Sequence, residues 1–225
     1  MGHRGRTQGG DVKGTLPVTV AFIAAKSLFA SRPFKEAVER RLGPRVRNGL
    51  YRPLYIVFSS VGGALIVRKA YQGPHRVLYE LRGPFKGVMR AGQVACVLAS
   101  LEATRVVGPG FLGVPQLRAF VSGGQPDAEP EAQGPRPDKG GELSDRTVFG
   151  LSRHPNNWFP TAVFLLEPRM TDKRAAFCAL MSLHVLLGSV HEEYRLEKAY
   201  GSAYDRYKTK APFLFRFGRK TPSSR

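Results

Sequence analysis

Arg153-His154-Pro155, followed by Asn156, Asn157 and Trp158, stands directly before an apolar run, and His191-Glu192-Glu193 closes a second one. A short turn over residues 167–173 separates the two runs, so an antiparallel helical hairpin brings the Arg-His-Pro turn and the glutamate pair to the same end. Cationic and N–H donors beside carboxylates can hold an amino-acid head group: donors take its carboxylate and a carboxylate takes its ammonium. The tail adds Gly201, Tyr204 and Tyr207 in a Gly-x-x-Tyr-x-x-Tyr spacing, with Pro212 and Phe213 beyond.

Each of these groups also has a plainer reading. Arg-His-Pro alone is a loop with proline at a helix start. Glu192 and Glu193 alone are a solvated helix end, and Glu193 and Glu197 with Arg195 and Lys198 decorate an amphipathic face. His184, alone in its apolar run, reads as a satisfied interior histidine. Glu102 and Arg105 are i, i+3 neighbours that can pair, although charged groups at membrane depth also mark functional sites. Cys96 and Cys178 sit in apolar runs without the neighbours a zinc site needs, and read as small buried hydrophobes.

The elements that must position these groups are five apolar stretches, at about 16–30, 53–67, 88–107, 158–166 and 175–190. A spanning helix needs about 20 mostly apolar residues. Four stretches are shorter, the third carries Arg90, Gln93, Glu102 and Arg105, and mean hydropathy is mildly negative. Buried helices of a soluble bundle read the same way. Two features point to a membrane. Tyr51, Arg52 and Tyr55 precede or open the second stretch and Arg68, Lys69 and Tyr71 follow it, as in an interfacial belt. With five spans and the C-terminus inside, the inside segments carry 21 basic residues against 11 outside. Positive-inside reasoning therefore puts the C-terminal tail in the cytoplasm. The expectation is an all-α, multi-pass transmembrane bundle of about five spans.

Residues 122–143 break the composition with four prolines, five glycines, five acidic residues and no aromatic. That stretch cannot bury enough apolar surface to offset its ordering and is expected to be a disordered loop. The chain thus divides into a polar tail (1–15), N-terminal helices (16–121), the loop (122–143), a helical hairpin with its tail (144–215) and a basic end (216–225). No secretory signal is evident, and Arg6 argues against myristoylation at Gly2.

The ordered set of Arg-His-Pro, apolar hairpin, Glu-Glu and Gly-x-x-Tyr-x-x-Tyr resembles the isoprenylcysteine and phospholipid methyltransferase superfamily. Upstream, Ser27-Leu28-Phe29-Ala30-Ser31, Arg41-Leu42-Gly43 and the Tyr51–Tyr55 stretch look like its bacterial branch containing methanethiol S-methyltransferase. The resemblance covers about residues 21–215, with the loop as an insertion. It implies a site for S-adenosylmethionine (AdoMet) at Arg153, His154, Pro155, Asn157, Glu192, Glu193, Tyr204 and Tyr207, and methyl transfer to a small thiol or a hydrophobic, lipid-like acceptor. The family usually has Tyr where Asn157 stands, and a Gly soon after where this chain has Phe159 and Pro160. The departure bears on activity more than on fold.

Lysine plus arginine number 35 against 17 acidic residues, a formal net charge of +18, which suits an anionic partner such as a membrane face or nucleic acid. The basic residues are spread along the chain and form no stripe with interleaved aromatics, so nucleic acid is not the expected partner. No Ser-His-Asp set or metal cluster is apparent in the sequence. Three readings stay open: an integral-membrane AdoMet-dependent methyltransferase, a non-catalytic membrane protein on the same scaffold, and a soluble basic nucleic-acid-binding helical protein.

Overall fold

The computed structural model of the protein describes residues 12–73, 75–128, 143, 145 and 147–215. Most of the segment expected to be a loop, 129–142, lies outside the described residues, as do most of the polar tail and the basic end. The helices are α1 (Val12–Ala30), α2 (Arg32–Tyr71), α3 (Gly83–Val107), α4 (Val114–Val121), α5 (Pro155–Leu165), α6 (Asp172–Tyr200) and α7 (Ser202–Lys210). Among the described residues the fold is helical, apart from a small addition. Two short strands, β1 (Val77–Glu80) and β2 (Arg169–Thr171), pair antiparallel. The turn between the last two apolar runs is thus partly extended, and Leu81 N–H to Pro168 O (2.8 Å) continues the pairing.

All five apolar stretches lie in helices. Three helices, α1, α2 and α6, are long and apolar enough to cross a membrane. At 25 residues α3 has the length but carries the charges already noted. Eleven residues in α5 rise about 16 Å, about half of a hydrocarbon core. Gly43, at φ 81°, ψ 160° and followed by Pro44, breaks the 40-residue α2 into two legs. A β-carbon is disfavoured at that dihedral, which is why glycine occupies the corner.

The outward faces are apolar. Leu54, Val57, Val61 and Leu65 form one exposed stripe along α2, Val94, Leu98 and Leu101 another along α3, and Leu186 and Val190 add a third on α6. Soluble monomers seldom expose contiguous patches of this kind, whereas a hydrocarbon surround imposes no cost on them. Inside, the core falls into separate clusters near the ends of the bundle. Ile66, Ala70, Met170, Phe177 and Cys178 pack where α2 ends and α6 begins. Ala103, Val107, Val148, Phe149 and Phe159 pack where α3 ends and α5 begins. Leu196, Tyr204, Tyr207 and Ala211 join Leu143 around the α6–α7 corner. Cys178 is buried as expected, while Cys96 is only half-buried.

α4 docks on α2 at a glycine. A β-carbon on Gly49 would lie 2.6 Å from Phe120 Cβ, so the two helices meet only because no side chain is there. Arg45 seals the contact, donating to Phe120 O at 3.0 Å with its guanidinium 4.7 Å from the Phe120 ring centroid. Gly49→Ala should overpack this contact and cost about 1–3 kcal/mol. Thermal unfolding in detergent checks it, and an unchanged Tm would show that α4 can shift freely.

Candidate functional site

The sequence places proline at the first turn of α5, where its missing N–H costs nothing, and His154 becomes the residue before the helix. Ser152 fixes the approach. Its Oγ accepts from His154 N–H (3.1 Å) and donates to Phe213 O (3.2 Å). Arg153 N–H donates to Pro212 O (2.9 Å), so the segment after α7 is strapped to the Arg-His-Pro turn. The Phe213 ring stands edge-on to His154, with centroids 5.2 Å apart.

Across from this turn lies the last part of α6. Arg153 forms a bidentate pair with Glu193, Nε to Oε1 and Nη2 to Oε2 both at 3.0 Å, and Nη1 donates to Ala211 O at 2.9 Å. His154 bridges both glutamates, with Nδ1 3.2 Å from Glu192 Oε2 and Nε2 2.6 Å from Glu193 Oε1. Tyr204 OH donates to the same Glu193 Oε1 at 2.5 Å. Gly201, at φ 50°, turns the chain from α6 into α7 so that Tyr204 comes back over Glu193. Tyr207, buried beside it, donates to Phe149 O at 2.8 Å. The Arg-His-Pro turn and the glutamate pair therefore meet, as the hairpin reasoning expects.

Burial is the largest single influence on His154 and opposes its charge. The hydrogen bonds and charges of Glu192 and Glu193 together outweigh it, and its pKa lies above the usual value. The doubly protonated ring then donates to both carboxylates. Burial also pushes the Tyr204 phenol up, and its bond to Glu193 adds to that, so Tyr204 stays a donor. A raised His154 pKa adds stability that is fully present below the unfolded-state value of about 6.5. That stability is lost as pH rises through the folded-state value. Tm in detergent should fall as pH is raised from about 6 towards 9, and the deficit of His154→Gln relative to the parent should be largest at the acid end. A deficit that is constant with pH would contradict the ionised assignment.

Beside this network a cavity of about 770 Å³ opens between α1, α2 and α6, within the size range of small-molecule sites. Its walls are mixed. Val20, Ile23, Ile56, Leu180, Leu183 and Leu187 are apolar, while Lys26, Lys35, Arg52, His184, His191 and Arg195 bring cationic or titratable groups. Of the eight residues singled out in the sequence, Asn157 and Glu192 line it. Arg153, His154, Pro155, Glu193, Tyr204 and Tyr207 do not; they form the packed wall behind those two. Asn157 Nδ2 donates to Glu192 Oε2 (3.1 Å) and Ser189 Oγ (3.0 Å). Glu192 Oε2 is thus held from two sides, while its Oε1 accepts no hydrogen bond among the described residues and remains available to a ligand.

Sequence reasoning missed Ser189, Ser152 and the cationic lining. Ser189 lies one turn before Glu192 on the same face of α6, a spacing that could have flagged it. Lys26 is a lone charge in an apolar run, which is a similar signal. His184 departs from the expectation of a satisfied interior histidine. It borders the cavity and makes no hydrogen bond to any described residue. Glu102 and Arg105 pair as expected, at 2.7 and 2.8 Å. No cluster of histidine, cysteine and acidic residues among the described residues could hold a metal ion.

Compared with protein-family models, with curated proteins and with solved structures, the chain matches none.

Proposed function

We propose that this protein is an integral-membrane methyltransferase that uses AdoMet and acts on a small thiol or a hydrophobic, lipid-like acceptor. The observation that carries the reading is the conjunction of the buried Arg153–His154–Glu193–Tyr204 network with Glu192 and Asn157 at the edge of a cavity walled by apolar helices. The likeness of the motif order to the isoprenylcysteine and phospholipid methyltransferases supports it, and so does the chemistry of the donor set. Glu192 offers an unshared carboxylate oxygen for an ammonium group. Arg195 and His191, on the same wall, offer cationic or N–H groups on the side where a carboxylate would lie. AdoMet carries its methyl on a sulfonium, so the cofactor supplies the driving force of transfer. What the chain must supply is binding, alignment and exclusion of water. The apolar walls of α1 and α6 do the last, and they give a hydrophobic acceptor a route from the lipid side. A thiol or carboxylate acceptor needs no strong protein base.

On this reading five helices sit in the membrane, α3 turning its exposed Val94, Leu98 and Leu101 to the lipid and the short α5 packing against α3 and α6, with the α6–α7 end and the C-terminal tail in the cytoplasm. Asn157 stands where the family has tyrosine, yet it is engaged, holding Glu192 against Ser189. The test is calorimetric titration of the detergent-purified full chain with AdoMet. Saturable binding supports the reading, and absence of binding by a folded, detergent-dependent protein leaves the non-catalytic scaffold instead. Recovery of folded, monodisperse protein without detergent would overturn the membrane assignment.

A further inference from the structure

The opposite end of the bundle holds a second cavity, of about 450 Å³, where α2 and α5 end and α3 and α6 begin. Four cations line it, Lys86, Arg90, Arg169 and Arg174, against two carboxylates, Glu80 and Glu167. Glu167 is buried and already shared: Tyr71 OH donates to it at 3.0 Å, Arg90 Nη2 lies 3.4 Å and Arg174 Nη1 3.7 Å away. Arg169 reaches Glu80 only at 3.8 Å between half-exposed side chains, a contact of little strength. Lys86 has no hydrogen-bond or ion-pair partner among the described residues, and Arg174 keeps a buried Nε without an acceptor. A buried donor left unmade is costly, and two positive charges at this opening stay uncompensated.

We propose that this cavity binds the phosphate of an anionic lipid headgroup, an inference that rests on the membrane reading above. A phosphate accepts from several convergent cations at once, and Glu167, already shared among Tyr71, Arg90 and Arg174, leaves Lys86 and Arg169 for it. The surroundings favour a lipid over free phosphate. Phe85 and Val88, beside Lys86 on α3, are exposed apolar residues, and Val77 and Leu78 of β1 add to them. Acyl chains lying along these residues keep the headgroup at the cavity. Arg174 is fixed in place by its guanidinium stacking 3.9 Å from the Tyr71 ring centroid and by donation to Arg169 O at 2.7 Å, so the site is preorganised.

The experiment is native mass spectrometry of the detergent-purified full chain, titrated in parallel with phosphatidylglycerol, phosphatidylcholine and inorganic phosphate. Phosphatidylglycerol should bind more tightly than phosphatidylcholine. The double substitution Lys86→Gln, Arg169→Gln should weaken its binding about tenfold or more, since basic residues act on anionic headgroups roughly additively. Both side chains are solvent-facing, so the fold is retained. The charge-matched control Arg41→Gln, Lys198→Gln, remote from the cavity, should leave binding unchanged, and Lys86→Arg with Arg169→Lys should retain it. Equal losses in the control, or phosphatidylglycerol binding untouched by the double substitution, would overturn the proposal. Binding of inorganic phosphate alone, with no preference between the two lipids, would overturn the lipid assignment. Failure of the membrane reading has a different signature, a protein that stays folded and monodisperse without detergent.

Discussion

Glu193→Ala should destabilise the protein by about 3–5 kcal/mol, the cost of breaking a buried ion pair and stranding its partner. The physical reason is how much converges on one carboxylate. Arg153, His154 and Tyr204 all donate to it, and the Arg153 and Glu193 side chains are only 12% and 16% exposed. Removing the acceptor leaves a guanidinium without its bidentate partner and a buried phenol without its acceptor. It also cuts the tie that holds α7, through Tyr204, against α6. Thermal unfolding in detergent should show a fall in Tm of roughly 6–20 °C for a chain of this size. Glu193→Gln, which keeps an acceptor but loses the charge, should lie between the two. A Tm for Glu193→Ala within a degree of the parent would show that the network contributes nothing to folding.

Glu192→Gln is expected to separate binding from folding. Glu192 is the more exposed of the pair, at 25%, and faces the cavity with one oxygen free. Glutamine keeps the shape and one acceptor but loses a charge beside His154, so Tm should fall less than in Glu193→Ala. AdoMet affinity should fall by about 2–5 kcal/mol, or roughly 30- to several-thousand-fold, because the substituted amide cannot neutralise a desolvated ammonium. Calorimetric titration reads the difference directly. Glu197→Ala, one turn on, removes only a surface pair with Lys208 and should leave affinity unchanged and Tm nearly so. If Glu192→Gln binds AdoMet as the parent does, the cavity edge is not where the amino-acid head group sits.

The contrast between these two neighbours could not be drawn from the chain alone. Adjacent glutamates on a helix point in directions about 100° apart, so although both reach His154, only one of them also faces the cavity. Which one faces the cavity depends on the rotation of α6 about its axis, and that is set by its packing against α1, α2 and α5. The sequence by itself determined the apolar helices, because runs of that length and composition have few other stable forms. It also determined that the Arg-His-Pro turn meets the glutamate pair, because a short turn between two such helices returns the chain to its starting end. Proline at the start of α5 suits a helix's first turn, and glycine at the α6–α7 corner takes a positive φ that other residues avoid. Tertiary structure alone decided what followed. It turned Arg153, His154, Glu193 and Tyr204 into a wall, left Asn157 and Glu192 at the cavity, and brought Ser189 and Lys26, which lie outside the motifs, beside them. It also gathered Lys86, Arg90, Arg169 and Arg174 at the far end. Those four come from α3, β2 and α6, and no spacing along the chain encodes their meeting, since it arises only where separate elements end on the same side of the bundle.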